Sequence, residues 1–580
     1  MRKLKRFLVL SFIFTLCAFS LAFAQGADLE FTIDTTSETV ASPKIFKPNV
    51  DLSGRGFNRE ITWPQTVADK RVLETWQKDI GFGGIYRLQY NLWEISQLSK
   101  NKDLQNKLIA NYESIIKSIS DNGGTVIVNI FGAPAGTGRV LDIKSPPRDL
   151  RQYKEKIKSI IRELSCQKKY NVWYEVWNSP DSDEFFLGKW PEYLNVYRFA
   201  GEAVKELERE YKIHIPLGGP SVSWWFQNSE GNTIITPESS LIYELIRWAY
   251  HYRMPLDFIS WHGYSSDPAL EKATTIYKQT ASTLFRNWLI YFHLNKDIPL
   301  IVDEWNFDRS ANVLPERNKK SYVAASYIPS RIKNMYEAGI DCQLYFCLED
   351  FQGNKEGVVR NVGVFNFDPE HPGYKGAPKA TYNVFRMLSA MGKNMYPVKL
   401  TDEFVGAIVT KTEDGLVFIV YNYIDPDIVN SYLFRNICSL NSTGRKILLN
   451  LIRSKRLDKI LNHELTVESL GLNKRLRALL NGVVEANDKA KKFSVSNREL
   501  KITLKNLKED YLYQRYAVDP SCALSCDFKP AEEKDVSAIS QYQETLSLAP
   551  YSVHMIVLKK KIKEPEPVPV APEQPKEEKQ

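Results

Sequence analysis

The sequence predicts an α/β protein, a (β/α)8 TIM barrel followed by a C-terminal β-sandwich, and three observations carry that expectation. Eight strand-like runs alternate with helix-like runs before residue 395. Several of these runs are continuously apolar, as parallel strands buried on both faces are. Beyond residue 395 the pattern gives way to alternating strands and tight turns. A doubly wound open sheet is the structural rival, but no glycine-rich phosphate loop follows the first strand.

The eight runs are PNVDLS from Pro48, IYRLQY from Ile85, VIVNIF from Val126, VWYEVW from Val172, IPLGGP from Ile215, DFISWHGY from Asp257, IPLIVDEW from Ile298 and CQLYFCLED from Cys342. Between them the period becomes helical. Leu150, Tyr153, Ile157, Ile160, Ile161 and Leu164 fall three or four apart and share one face. Leu194, Tyr197, Val204 and Leu207 mark a second such helix, and Ile242, Leu245, Ile246 and Ala249 a third. After residue 395, GAIVTKTEDGLVFIVYNY turns at Glu413-Asp414-Gly415 and predicts a β-hairpin. Runs from Glu499 and Thr545 add strands, and a Leu-, Lys- and Arg-rich helical stretch near 450–490 interrupts them.

The ends of the chain differ from the rest. Arg2, Lys3, Lys5 and Arg6 precede an apolar run from Phe7 to Ala24 that closes on Ala22-Phe23-Ala24, the small-x-small pattern of a secretory signal. Cleavage is expected after Ala24, and an uncleaved anchor of similar length is the alternative. From Lys561 the chain is too rich in Glu, Lys and Pro to build a core. The expected units are thus a signal peptide (1–24), a barrel (25–394), a sandwich with its helical insertion (395–560) and a disordered tail (561–580), in a protein exported to the periplasm or outside the cell.

Composition excludes several functions. With 43% hydrophobic and 25% charged residues the chain is globular. The net charge of +8 includes the four basic residues of the signal; without them +4 remains, too little for a nucleic-acid footprint. Leu16 before Cys17 argues against lipid attachment. The other six cysteines are too few for a disulfide scaffold; Cys522 and Cys526 are close enough to bridge a local loop, and small buried side chains are the other reading. HExxH, GxxxxGK[ST], GxGxxG and EF-hand patterns are absent, so no metal, nucleotide or other cofactor is expected.

In such a barrel, functional groups close the strands at their carboxyl ends. The fourth run ends Trp177-Asn178-Ser179-Pro180 and the seventh Asp303-Glu304-Trp305-Asn306. Together with SPPRDLRQY from Ser145, LGGPS from Leu217, DFISWHGY, GAPKATYNVFRML from Gly376 and RYAVDP from Arg515, these strings resemble glycoside hydrolase family 39, co-linear over much of the chain. The resemblance implies a retaining barrel glycosidase acting on a carbohydrate partner. Such an enzyme needs one carboxylate to attack the anomeric carbon and one acid to protonate the leaving oxygen, about 5 to 5.5 Å apart.

By that resemblance Glu304 is the nucleophile, a structural ion pair being its plainer reading. The family has its acid/base Glu where this chain has Ser179, whose hydroxyl offers no acidic proton. Asp181, Asp183 and Glu184 follow on the same loop, Asp181 first, and are the candidates for a displaced acid; plain solvated loop carboxylates are the other reading. Glu175 fits a structural role. Asn178 is expected to bind the sugar's 2-hydroxyl or to cap a turn. His262 and Tyr264 close the sixth strand and are assigned to substrate binding, as is Trp305. Arg87 either holds the nucleophile ionised or makes an ordinary barrel salt bridge. Trp225, clustered with Trp224 and Phe226, either stacks on sugar rings or packs a loop. Hydrolysis of a β-glycoside or polysaccharide is the leading reading; a non-catalytic polysaccharide-binding pseudoenzyme is the alternative, and transfer of a glycosyl unit to an acceptor sugar is the third.

Overall fold

The computed structural model describes residues 29–54, 60–226, 239–272, 279–307, 313–352, 359–366 and 376–561. The signal segment lies outside the described residues, as does the tail apart from Lys561.

Eight parallel strands close into a barrel: Val50–Asp51, Ile85–Asn91, Thr125–Phe131, Val172–Val176, Leu217–Val222, Phe258–Tyr264, Leu300–Asn306 and Cys342–Tyr345. Closure comes where Tyr345 of the last pairs with Val50 of the first. Each strand coincides with its expected run to within two residues at its ends or lies inside it, because a parallel strand packed between helices and the barrel interior has no solvent face. Val126, Ile127, Val128 and Ile130, for example, are all fully buried.

The outer helices follow their apolar stripes. Helix Leu150–Ile161 starts where Asp149 accepts from the N–H groups of Arg151 and Gln152, satisfying donors that the first turn leaves unpaired. It buries Tyr153, Ile157, Ile160 and Ile161. Helix Trp190–Tyr211 buries Tyr193, Leu194, Tyr197, Val204 and Leu207, and helix Leu241–Tyr252 buries Ile242, Leu245, Ile246 and Ala249.

Two irregularities in the barrel shape what sits at its mouth. Trp261 pairs with Val302 but His262 pairs with Glu304, so strand seven carries one residue more than strand six at this point. A bulge of this kind re-aims side chains. In a regular strand Asp303 and Glu304 would point to opposite faces, yet both carboxylates approach His262. A similar slip between Pro220 and Val222 frees Ser221, which adopts φ +56°.

The sandwich is built from a seven-stranded and a three-stranded sheet. Its hairpin pairs Val405–Lys411 with Gly415–Asn422 around the expected turn. Phe31, Ile33, Val409, Phe418, Leu500, Leu504 and Ile556 share its core. The N-terminal strand Leu29–Asp34 belongs here: it runs parallel to Arg498–Leu507, with Leu29 opposite Leu500. Residues 29–34, expected to belong to the barrel, therefore complete the sandwich. Phe31 and Ile33 alternate with polar neighbours, the period of a strand with one wet face.

The helical insertion starts earlier than expected. Its helices are Ile428–Asn436, Ser442–Arg453, Arg456–Leu461 and Lys474–Phe493, around a separate core of Leu448, Leu451, Leu457, Leu476 and Leu480. Phe434 of its first helix meets Trp224 of the barrel with ring centroids 5.7 Å apart. A disulfide joins Cys522 to Cys526, and Asn383 of helix Ala380–Ser389 donates to the carbonyl of Cys526. Cys166, Cys342 and Cys347 are free and buried.

Candidate active site

A charged residue in an apolar strand must find partners, because an isolated buried charge is too costly to keep. Arg87 of the second strand is 1% exposed, and all three of its guanidinium nitrogens are engaged. Nε donates to Glu175 Oε2 at 2.7 Å. Nη1 donates to Glu304 Oε1 at 2.7 Å and to Asp51 Oδ2 at 3.0 Å. Nη2 donates to Asn178 Oδ1 at 2.7 Å and to Ser221 Oγ at 3.1 Å. One planar fork thus ties five positions around the barrel together, which a lysine's point charge could not do. Oε2 of Glu304 accepts from the Tyr264 hydroxyl at 2.7 Å, so the carboxylate is clamped from both sides.

His262 stands next to this clamp. Its Nδ1 is 3.1 Å from Asp303 Oδ1 and 3.8 Å from Glu304 Oε2, and its Nε2 is 2.8 Å from Ser179 Oγ. Ser179 reaches the imidazole because the chain turns sharply after strand four. Trp177 at φ +67° and Ser179 at φ +42° occupy the left-handed region, each at a strain of about 1–3 kcal/mol. The turn is held by the Ser179 N–H donating to Ser221 O and by the Trp177 indole N–H donating to Phe185 O.

The buried cluster holds four carboxylates, Asp51, Glu175, Asp303 and Glu304, against one guanidinium and one imidazole. Burial, only partly offset by Arg87, pushes Glu175 up to about 7 and Asp51 up to about 6. Burial acts on Asp303 in the same sense, but His262 and Arg87 prevail and hold its carboxyl well below the usual range. Burial alone would lower His262; the carboxylates of Glu304 and Asp303 outweigh it and raise the imidazole above its ordinary value. Within one buried cluster, then, burial dominates at Glu175 and Asp51, whereas charged neighbours dominate at Asp303 and His262.

Of the residues singled out from sequence, Arg87, Asn178, Ser179, His262, Tyr264 and Glu304 meet in this network. Asp181 does not join it by any hydrogen bond: both its oxygens accept from the Ser223 N–H, at 3.0 and 3.2 Å, and burial raises its carboxyl. Asp183 and Glu184 are exposed. Two expectations are corrected. Trp305, assigned to substrate, is fully buried, with its indole N–H 2.5 Å from Gln343 Oε1 and its ring against Tyr327 and Tyr345. Trp225, offered as a stacking platform, is 2% exposed and packs on Phe226 and Phe285. Neither presents a face to a ligand.

Sequence reasoning missed Asp51, Asn129, Ser221, Ser260 and Asp303. Asn129 and Ser260 both donate to Glu175, and Asp303 anchors His262. The available signal was a polar residue inside an apolar parallel strand, which persists only when paired.

An eight-stranded barrel that holds Glu304 and His262 toward the carboxyl ends of their strands, beside a buried arginine and further carboxylates, has the architecture of the carbohydrate-active barrels of the glycosidase class. Residues 132–424 match the model of glycosyl hydrolases family 39, and the chain belongs to that family, whose members are hydrolases of O-glycosyl compounds. It is 23% identical to a β-xylosidase of Caldicellulosiruptor saccharolyticus over 419 residues, 66% of this chain and 80% of the relative. It is 25% identical to a β-xylosidase of Geobacillus stearothermophilus over 297 residues, 48% and 52% of the two chains. In fold it is similar to the GH39 enzyme from Xanthomonas axonopodis pv. citri (TM-score 0.61, 12% identity, 93% and 99% covered). It is likewise similar to a monomeric β-xylosidase from Caulobacter crescentus (TM-score 0.58, 14% identity, 92% and 99% covered). Among the described residues no helix is long and apolar enough to cross a membrane.

Proposed function

We propose that this protein is an exported glycosidase that acts on β-glycosides by a retaining mechanism, with Glu304 attacking the anomeric carbon. The observation that carries the reading is the clamp on Glu304, whose two oxygens are held by Arg87 and Tyr264 at the carboxyl end of a barrel strand. A nucleophile so held loses little freedom on reaching its attack geometry. Asn178, fixed through Oδ1, is available to bind the adjacent sugar hydroxyl. The β-xylosidase relatives make a xyloside the first substrate to try. Export rests on the apolar run ending at Ala24.

Ser179 stands at the position of the family's acid/base, so proton donation to the leaving group is weak or comes from Asp181 after a movement away from the Ser223 N–H. General acid catalysis contributes about 100- to 10,000-fold, and without it only good leaving groups depart quickly. That same engagement of Asp181 favours a second reading, a polysaccharide-binding protein in which Glu304 only accepts hydrogen bonds from sugar hydroxyls.

The test is release of dinitrophenolate, which needs no proton, from a panel of β-glycosides headed by the xyloside. Release that disappears in Glu304→Gln supports the glycosidase. No release from any sugar, together with saturable glycan binding by both proteins, would overturn it in favour of the second reading.

A further inference from the structure

Ser179, His262 and Asp303 form an unbroken line of hydrogen bonds that glycoside cleavage by Glu304 does not use. Ser179 Oγ lies 2.8 Å from Nε2, and Nδ1 lies 3.1 Å from Asp303 Oδ1. The order hydroxyl, imidazole, buried carboxylate is the one that turns a serine into a nucleophile. Neutral imidazole takes the hydroxyl proton, while the carboxylate fixes the tautomer and steadies the imidazolium. Such a triad is defined by geometry and roles rather than by chain order. Ser179 also sits in a left-handed turn at a strand end, a conformation that a residue with a Cβ adopts rarely.

We propose that Ser179 is the nucleophile of an acyl-transfer site that cleaves carboxylic esters of carbohydrates, such as O-acetyl groups, with His262 as base and Asp303 as its orienting partner. Oγ attacks the ester carbonyl as its proton passes to Nε2. The tetrahedral adduct collapses, the bond from the acyl carbon to the sugar oxygen breaks, and Nε2–H gives its proton to that oxygen. Water, deprotonated by Nε2, then attacks the acyl-serine; the carboxylic acid leaves and Oγ regains its proton.

The oxyanion needs a donor. Pro180 has no N–H, and the Ser179 N–H is spent on Ser221 O. The side-chain amide of Asn178 remains. Its Oδ1 is fixed by Arg87 and Ser221, while its Nδ2 has no hydrogen-bond partner among the described residues. A side-chain amide serves this purpose in other acyl-transfer enzymes. The class of ester follows from proximity: the imidazole that touches Ser179 is 3.8 Å from Glu304, so a ligand held for one group reaches the other. That choice of a sugar ester rests on the glycosidase reading, whereas the acyl chemistry does not.

The charged and titratable groups around His262 are Asp303 and Glu304 on strand seven, Arg87 on strand two, Asp181 after strand four and Tyr264 on its own strand. With the imidazole raised above its ordinary value, the basic form builds up only above that point, and acyl transfer rises with pH through it.

The test treats the full chain with diisopropyl fluorophosphate and maps the adduct by peptide mass spectrometry. The expected result is a single adduct on Ser179, absent in Ser179→Ala, formed faster as pH rises, and slowed about 100-fold or more in His262→Gln. Ser179→Ala leaves the buried Nε2 of His262 without the Ser179 hydroxyl, so a melting curve of each variant accompanies the labelling and shows that the protein compared is folded. No adduct on Ser179, or labelling of the folded His262→Gln at the wild-type rate, overturns the triad. If 4-nitrophenyl acetate is cleaved by a Ser179-dependent route but an acetylated xyloside is not, the triad stands and the sugar-ester assignment falls. Dinitrophenyl glycoside release by the same preparation reports separately on Glu304.

Discussion

Nη1 of Arg87 lies 2.7 Å from Oε1 of Glu304, with only 2% and 4% of the two side chains exposed. The pair is one spoke of a hub: the same guanidinium holds Asp51 and Glu175, which no substrate could reach through the fully buried floor. Glu175 in turn accepts from Asn129 and Ser260. The position of Glu304 is thus set by strands on the far side of the barrel as well as by its own, and the rigidity of the mouth depends on one residue.

Arg87→Met tests that dependence. Removing one partner of a buried ion pair destabilises by about 3–5 kcal/mol, because the carboxylates left behind are uncompensated. They can escape by binding protons, and burial already pushes Glu175 up to about 7 and Asp51 up to about 6. Both folded values lie above those of the unfolded chain. The stability they contribute is therefore complete in acid and is lost as pH rises through those values. Losing Arg87 raises them further, so the variant's deficit is expected to be larger at about pH 8 than at about pH 5. Urea midpoints at the two pH values measure it, and an equal deficit at both would refute the account.

Ser179→Glu puts a carboxyl acid where the serine hydroxyl stands and separates the two chemistries assigned to this position. Hydrolysis of glycosides with poor leaving groups, such as alkyl xylosides, is expected to rise about 100-fold or more. Release of dinitrophenolate, which needs no acid, should change little, and labelling by diisopropyl fluorophosphate should vanish. A melting measurement must accompany the assay, since Ser179 is 2% exposed and touches His262. A folded variant showing no gain on alkyl xylosides would mean that an acid at this position is not what limits the reaction.

The strands were legible in the sequence because a parallel strand covered on both faces must be apolar throughout, and VIVNIF or IPLIVDEW admits few other readings. Glu304 was legible through the resemblance of its strand end to family 39, and Arg87 through its place near that residue; a charge inside an apolar run was not enough by itself, since Asp51 and Asp303 share that feature and were missed. The partnership of Leu29–Asp34 with Arg498–Leu507 was not, because a pairing across more than four hundred residues leaves no local trace. Trp305, assigned to substrate, and Trp225, left between stacking on sugar and packing, show the limit of the sequence here, which says that an aromatic is present but not which way it points. For Trp305 the answer was a hydrogen bond to Gln343 and the tyrosines behind it. The line from Ser179 to Asp303 depends on the bulge opposite His262 and on the turn at Ser179, neither of which has a signature in single residues.

Acid sensitivity of the sandwich is expected to trace to His554, on strand Ser552–Lys560. It is 5% exposed, its Nδ1 lies 3.3 Å from Nη1 of Arg515, and burial followed by the charge of Arg515 pushes the imidazole down to about 4. In the unfolded chain the ring takes its proton near the ordinary value of about 6.5. Because the folded value is the lower one, the stabilisation is complete above about 6.5 and is lost as pH falls toward 4. The difference corresponds to about 3 kcal/mol. His554→Leu carries no titrating group, so its urea midpoint should fall less than that of the wild type between about pH 7 and pH 4. Parallel loss in the two proteins would show that the proton enters elsewhere. The effect should be confined to the strands around Arg515 and leave labelling of Ser179 unchanged at neutral pH, because His554 is neutral there in either case.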